Sequence, residues 1–334
     1  MPADVGAMFY TGETPWHGLG ERVDHPLALA EALAIGDLEW EVGSVDLLTA
    51  DCPPSPVRNR KAIVRLDRPN GDPDRVLGVA HRNFRPIQNQ WAGRLFDTTF
   101  GKGKALYHTG GYLGGGQVIW LLAKMDRPFR IGPQDWVEPY ALMINSHDGS
   151  IAFSIRLTTI RVVCRNTLNL AIRDTRLGLP FRRSHQGPME DHARAAVGFY
   201  QATLRKLDET SATFQRLSHT PCSNDAFAQI LVSIFPLPAK PRNADQPPGL
   251  LRSWERRTEA ALDARKHIQT LKRDGQGMQL EGADGTCWGA LNAITEFVDH
   301  HQQGPRLASA LLGEGARLKA RAYQVICEWN ATVA

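Results

Sequence analysis

The stretch Asn145–Asn169, NSHDGSIAFSIRLTTIRVVCRNTLN, holds the residues whose types and spacing bear most directly on chemistry. A row of arginines begins there and runs on to Arg183: Arg156, Arg161, Arg165, Arg173, Arg176, Arg182 and Arg183, with Asp174 the only acid among them. So dense a run of one sign creates a local field that suits phosphate. Arg156, Arg161, Arg165 and Arg173 are the expected phosphate contacts. Asn166, with Thr158 and Thr159, can bond phosphate or sugar oxygens. Lys102 and Lys104 add charge nearby. Single-strand binding also needs stacking platforms, and Tyr112, with Tyr107 and Trp120, is the nearest aromatic in sequence. The opposing reading is internal: the arginines pair within the fold with acids such as Asp135, Glu138 or Asp148.

Other constellations are sparser. His147-Asp148 and Asp299-His300-His301 are the dense groups of metal-competent side chains. A metal phosphoesterase would need further ligands converging on them. The bland reading is a turn for the first pair and a helix C-terminus for the second. Cys164, between Val163 and Arg165, has the charge environment of a nucleophile, but alternation places it with Val162 as a buried thiol. The glycines Gly110-Gly111 and Gly114-Gly115-Gly116 lie between two strand-like runs, which suits a hairpin turn better than a dinucleotide loop. No G-x-S-x-G, Walker A or H-E-x-x-H motif is present. No catalytic residue, metal or cofactor is therefore expected.

Composition sets the frame. Among 334 residues, 42% are hydrophobic and 22% charged, ordinary for a globular chain with room for two packed units. Net charge is only +4, so clustering matters more than the total. Five scattered cysteines, none in a C-x-x-C pair, point to a reducing compartment. The N-terminus lacks a signal-peptide pattern, and no apolar run reaches the roughly 20 residues of a membrane span. A cytoplasmic protein is expected.

The elements that must position these groups follow from periodicity. Met8–Gly20 reads as an irregular aromatic arm anchored by Trp16 and His17. A helix capped by Asp24, with Pro26 in its first turn, runs to Gly36. Strands are predicted over 40–49, 61–67 and 75–80, with the turn Pro69–Pro73 joining the last two. A helix with Ile87, Trp91 and Leu95 on one stripe follows. Further strands cover 105–109, 118–123, 136–144 and 151–157. Asn166 or Thr167 caps a short helix starting at Leu168. Helices are predicted over 188–217, 225–235, 250–272, 286–301 and 307–329, with Pro236–Pro248 as an exposed loop. Acids interleaved with the bases of 250–272 suggest a solvated, salt-bridged face. The fold class is α+β: an antiparallel sheet with flanking helices over 1–183, and a mainly helical domain over 184–334.

NSHDGS followed by LTTIRVVCRNTLN, the N-terminal WHGLG and the C-terminal GTCWGALNAITEFVDHH together resemble a phage/plasmid-like protein family, a domain of unknown function carried by phages, plasmids and bacterial genomes. The resemblance spans Met8 to Tyr323. Thr159 stands where that family usually has proline. The resemblance implies a role with mobile DNA, in replication, recombination or host takeover. A basic strand beside a hairpin sheet is similar in outline to single-strand annealing proteins of the Redβ/Erf kind, a likeness of fold alone. The expectation is a nucleic-acid-binding protein, single-stranded DNA foremost, able to assemble as a ring or filament. Two alternatives stand beside it: a metal-dependent phosphoesterase or nuclease, and a protein that binds a host factor through its helical half.

Overall fold

The computed structural model describes residues 5–12, 20–100, 105–161, 167–169, 181–183, 189–241, 248–301 and 313–333. The chain is mixed α+β. Strands over residues 5–161 pair mostly antiparallel, and residues 204–333 are mostly helical. It divides into two compact units. The first takes Met1–Arg127, Pro139–Thr158 and Leu170–Leu207; the second takes Pro128–Glu138, Thr159–Asn169 and Asp208–Ala334.

The larger sheet has the order β11-β10-β9-β7-β6-β1-β2. Its strands are β1 (Val5–Thr11), β2 (Glu21–Val23), β6 (Leu106–Leu113), β7 (Val118–Lys124), β9 (Trp136–Ser146), β10 (Phe153–Arg161) and β11 (Thr167–Asn169). Two short strands join it off this path: β8 (Phe129–Arg130) on β9 and β12 (Phe181–Arg183) on β10. The second sheet is a three-stranded meander, β3 (Val42–Leu48), β4 (Pro56–Arg65) and β5 (Val76–His81).

Three sequence expectations are corrected. Part of the aromatic arm is strand β1, which lies between β6 and β2 and pairs antiparallel with the first and parallel with the second. Trp16 and His17 lie outside the described residues. Helix α1 (Leu29–Ile35) starts later than Asp24, with Ala28 at its N-cap. The reason is a β-bridge: Leu27 and Tyr107 exchange both backbone hydrogen bonds at 2.9 Å, which fixes Leu27 as extended. The short helix expected at Leu168 is β11 instead, because pairing with β10 outweighs the local cap signal.

Helix α2 (Asn89–Phe100) follows the predicted stripe, and Ile87, Leu95 and Phe96 join the apolar core with Phe9, Tyr107, Ile119 and Phe153. Helices α3 (Met189–His219), α4 (Asn224–Ile234), α5 (Pro248–Asp274), α6 (Cys287–Glu296) and α7 (Glu314–Val333) match the predicted helical half, and a π-helical turn, Phe297–His301, extends α6. Residues 307–312, expected to open the last helix, lie outside the described residues. In the second unit, Trp288 packs on Phe214 and donates its indole N–H to buried Asp135 at 2.8 Å.

On α5, two of the bases expected on a salt-bridged face turn to backbone instead. Arg265 donates to the Phe235 carbonyl at the end of α4, and Lys272 donates to the Cys222 carbonyl before its start. Both satisfy groups that helix ends and turns leave open.

Candidate nucleic-acid interface

The predicted arginine row is described at its two ends, with Arg182 and Arg183 on β12 paired opposite Ser154 and Phe153 of β10. Arg156 lies on β10, half-buried between buried Ile155 and Leu157, and Arg161 is the last residue of that strand. Arg165, Asn166, Arg173, Lys102 and Lys104 lie outside the described residues, as does Cys164. Tyr112 is in the interior at 6% exposure. Its hydroxyl donates to Asp37 Oδ2 at 3.1 Å, and its ring meets Trp40 edge-on. Tyr107 and Trp120 are buried as well. All three rings serve the core rather than a solvent-facing platform, because alternation on β6 and β7 aims them into packed layers.

The metal-competent groups are also engaged. The NSHDGS turn is built as its sequence suggests: Ser150 N–H donates to Asp148 Oδ1, and Gly149 takes φ +77° at the tip. His147, however, is fully buried. Its Nε2 bonds Asn89 Oδ1 at 2.8 Å, while Asn89 Nδ2 donates to the Trp40 carbonyl. With the amide oxygen as acceptor, Nε2 carries the hydrogen. Asp299 forms a buried ion pair with Lys319 at 2.5 Å. Among the described residues no group of three or more His, Cys, Asp or Glu converges as a metal site.

Two basic segments that the sequence reading passed over come together on the three-stranded sheet. They are Arg58-Asn59-Arg60-Lys61, opening β4, and Arg82-Asn83-Phe84-Arg85, just past β5. Antiparallel pairing sets Arg60 opposite His81 and Lys61 opposite Ala80. Arg82 N–H then donates to the Asn59 carbonyl at 3.1 Å. Arg58, Arg60, Arg82 and Arg85 are exposed and Lys61 is half-exposed. Among the described residues no ion pair takes up any of these five cations. The acids nearest them along these strands and the loop before β4 are Asp46, opposite Lys61, and Asp51.

The other end of the same sheet is neutralised. Arg65 forks onto Asp67, Nε to Oδ1 at 3.0 Å and Nη2 to Oδ2 at 2.8 Å. Arg68 reaches Asp67 and Asp72, and Arg75 donates to the Arg68 carbonyl. Charge on this sheet is thus segregated, with paired groups at the Pro69–Pro73 turn and uncompensated cations at the opposite end. An uncompensated, solvated cluster of guanidinium groups is the arrangement that meets phosphate oxygens.

The meander is anchored near its neutralised end, where Val42 pairs with Arg65. Gln88 bonds both backbone groups of Val42 on β3, at 2.8 and 2.7 Å. Asn145 donates to the Ile87 carbonyl, and Arg65 stacks over Trp40 at 4.3 Å from its centroid while donating to Gly115 O. Gly78 on β5 packs so close to the NSHDGS turn that a Cβ there would lie 2.8 Å from Asp148 Cα. These contacts tie the meander to the glycine hairpin and to the entry of α2.

Architecture and site together define an α+β chain with a basic sheet end as its candidate contact surface. Residues 76–326 match the family described as Domain of unknown function (DUF932), and the chain belongs to that family. No curated protein and no solved structure matches.

Proposed function

We propose that this protein binds nucleic acid, single-stranded DNA foremost, with the basic end of the three-stranded sheet as its main phosphate contact and the Arg156–Arg173 row as a second. The observation that carries this reading is the unpaired, solvent-facing group Arg58, Arg60, Lys61, Arg82 and Arg85. Five cations at one end of a small sheet supply the sequence-independent, salt-sensitive part of binding. Tyr112, Tyr107 and Trp120 are left out of the interface, since their rings are buried. The resemblance to phage- and plasmid-borne proteins supports a place beside mobile DNA, in strand annealing or replication, with no chemical step assigned to the protein.

The test is fluorescence anisotropy with a labelled oligonucleotide across a salt series. The native chain binds at low salt and loses affinity as salt rises. An Arg58→Ala/Arg60→Ala/Arg82→Ala variant removes three contacts and lowers the salt slope by about 2, at roughly 0.7 per phosphate for single strands. An Arg161→Ala/Arg165→Ala variant measures the second surface separately. Absence of binding by the native chain at low salt rejects the proposal.

A further inference from the structure

The sequence scatters its cysteines, but folding brings two of them together in the second unit. Thr220–Cys222 and Gly285–Cys287 run antiparallel as a short bridge. Cys222 N–H donates to Gly285 O at 2.7 Å, Cys287 N–H donates to Thr220 O at 2.9 Å, and Pro221 faces Thr286 between them. A helix follows each segment. Ser223 caps α4 through Ala226 N–H, and Thr286 caps α6 through Gly289 N–H. Both cysteines are therefore fixed by backbone bonds on one side and a helix start on the other. Both are buried and their thiols are close enough to interact, while the Cys222 thiol also donates to the Ser223 carbonyl at 3.9 Å. Lys272 brings its ammonium to the Cys222 carbonyl at 2.9 Å.

The two thiols are unequal. Interaction with the Cys287 thiol holds the Cys222 thiol below its usual range, against burial and with help from the Lys272 charge. The same interaction, then burial, pushes Cys287 well up, and the charges of the nearby Cys222 and Cys327 thiols add to the rise. Cys222 is thus the more acidic of the two and Cys287 the less, which is the asymmetry a thiol–disulfide couple uses.

We propose that Cys222 and Cys287 form a two-electron redox pair that closes to a disulfide on reaction with hydrogen peroxide. The Cys222 thiolate attacks one peroxide oxygen. The O–O bond breaks, hydroxide leaves, and Cys222 becomes a sulfenic acid. The Cys287 sulfur then attacks the Cys222 sulfur, the S–O bond breaks, and the departing hydroxyl leaves as water with the Cys287 proton. In total, two thiols are oxidised and one peroxide is reduced to two waters. The oxidant must be small because both sulfurs are buried. The bond would tether the start of α4 to the start of α6.

The experiment uses the reduced full-length chain. It is treated with hydrogen peroxide, quenched, unfolded, alkylated and mapped by peptide mass spectrometry. The expected result is a linked pair of peptides carrying Cys222 and Cys287, loss of alkylation at both, and reversal by dithiothreitol. A Cys327→Ala variant, altered only at a half-buried position, gives the same linkage. Full alkylation of Cys222 and Cys287 after treatment overturns the proposal. So does a bond from either of them to Cys327.

Discussion

The backbone N–H of Arg82 donates to the carbonyl of Asn59 at 3.1 Å, and that bond fastens two basic segments, 23 positions apart in sequence, into one cluster. Asn59 takes a left-handed φ of +60°, which breaks the regular alternation of β4 where the arginines begin. Because the cluster is held by backbone, its side chains are free to be exchanged without harming the fold. Arg58→Ala/Arg60→Ala and Arg82→Ala/Arg85→Ala should each weaken oligonucleotide binding, while unfolding free energy changes by no more than about 0.5 kcal/mol. Arg60→Lys/Arg82→Lys keeps the charge and should retain most of the affinity. Anisotropy and urea titration on the same preparations check both halves.

Arg65 has the opposite character. It is 1% exposed, forks onto Asp67, and lies between Trp40 and Tyr112. Arg65→Ala strands Asp67 and opens a void beside two aromatic rings. Partial exposure of Asp67 softens the loss, so the expected destabilisation is roughly 2–3 kcal/mol. Arg65→Lys should recover only part of it, since an ammonium can neither fork nor stack. Chemical denaturation reads the difference; a cost for Arg65→Ala within error of zero would falsify the role given to this knot.

The same pair fixes a pH dependence. Hydrogen bonding from Arg65 holds the Asp67 carboxyl below its ordinary value, burial opposing and the Arg65 charge assisting. A carboxylate whose folded pKa is lowered contributes stability above its unfolded pKa, about 3.9, and loses it as pH falls through the lower folded value. Carboxyl NMR should place the Asp67 midpoint below the usual aspartate range. In Arg65→Gln it should move back up. An Asp67 midpoint at or above the ordinary value in the native chain contradicts the assignment.

Tyr107 offers a stabilising change. Its hydroxyl is buried and, among the described residues, has no hydrogen-bond partner, and burial, with the Asp97 charge adding, pushes its pKa well up. Tyr107→Phe removes an unsatisfied polar atom and keeps the ring against Phe96. The expected gain is about 1 kcal/mol, seen as a higher Tm. Since a raised folded pKa contributes stability below the unfolded value near 10 and loses it above, the native chain should also weaken at strongly alkaline pH, and Tyr107→Phe less so. A lower Tm for the variant would show that the hydroxyl has a partner after all.

Gly116 takes φ +117°, and a Cβ there would lie 2.9 Å from the Trp40 ring. Gly116→Ala should therefore cost about 1–3 kcal/mol through strain and displacement of Trp40. Gly71 has φ +90° but nothing near its missing Cβ, so Gly71→Ala should cost only the backbone strain, the smaller part. Thermal melts of the two variants compare them directly.

Much of the fold was legible because periodicity is local. The hairpin over 61–80, the glycine turn between β6 and β7, the stripe of α2 and the helical half all follow from residues that are neighbours in sequence. Errors fell where a distant partner overruled local preference. Leu27 is drawn to Tyr107, β1 lies between β6 and β2, and residues 167–169 join a sheet edge. The site was harder. Tyr112 looked like a platform because aromatic identity says nothing about which face a strand buries. The two R-N segments at 58–61 and 82–85 were visible as repeats of basic residues, but nothing in either one announces the other.

What the sequence alone determined is the class of the chain: α+β, with strands first and helices after, and rich in arginine. Tertiary structure alone decided which charges are neutralised and which thiols meet. Pairing between residues far apart in the chain depends on strand register and helix docking, and those are set by the burial of a whole core rather than by any local run. For that reason Arg65 is sealed against Asp67 while Arg60, five residues earlier on the same strand, faces water.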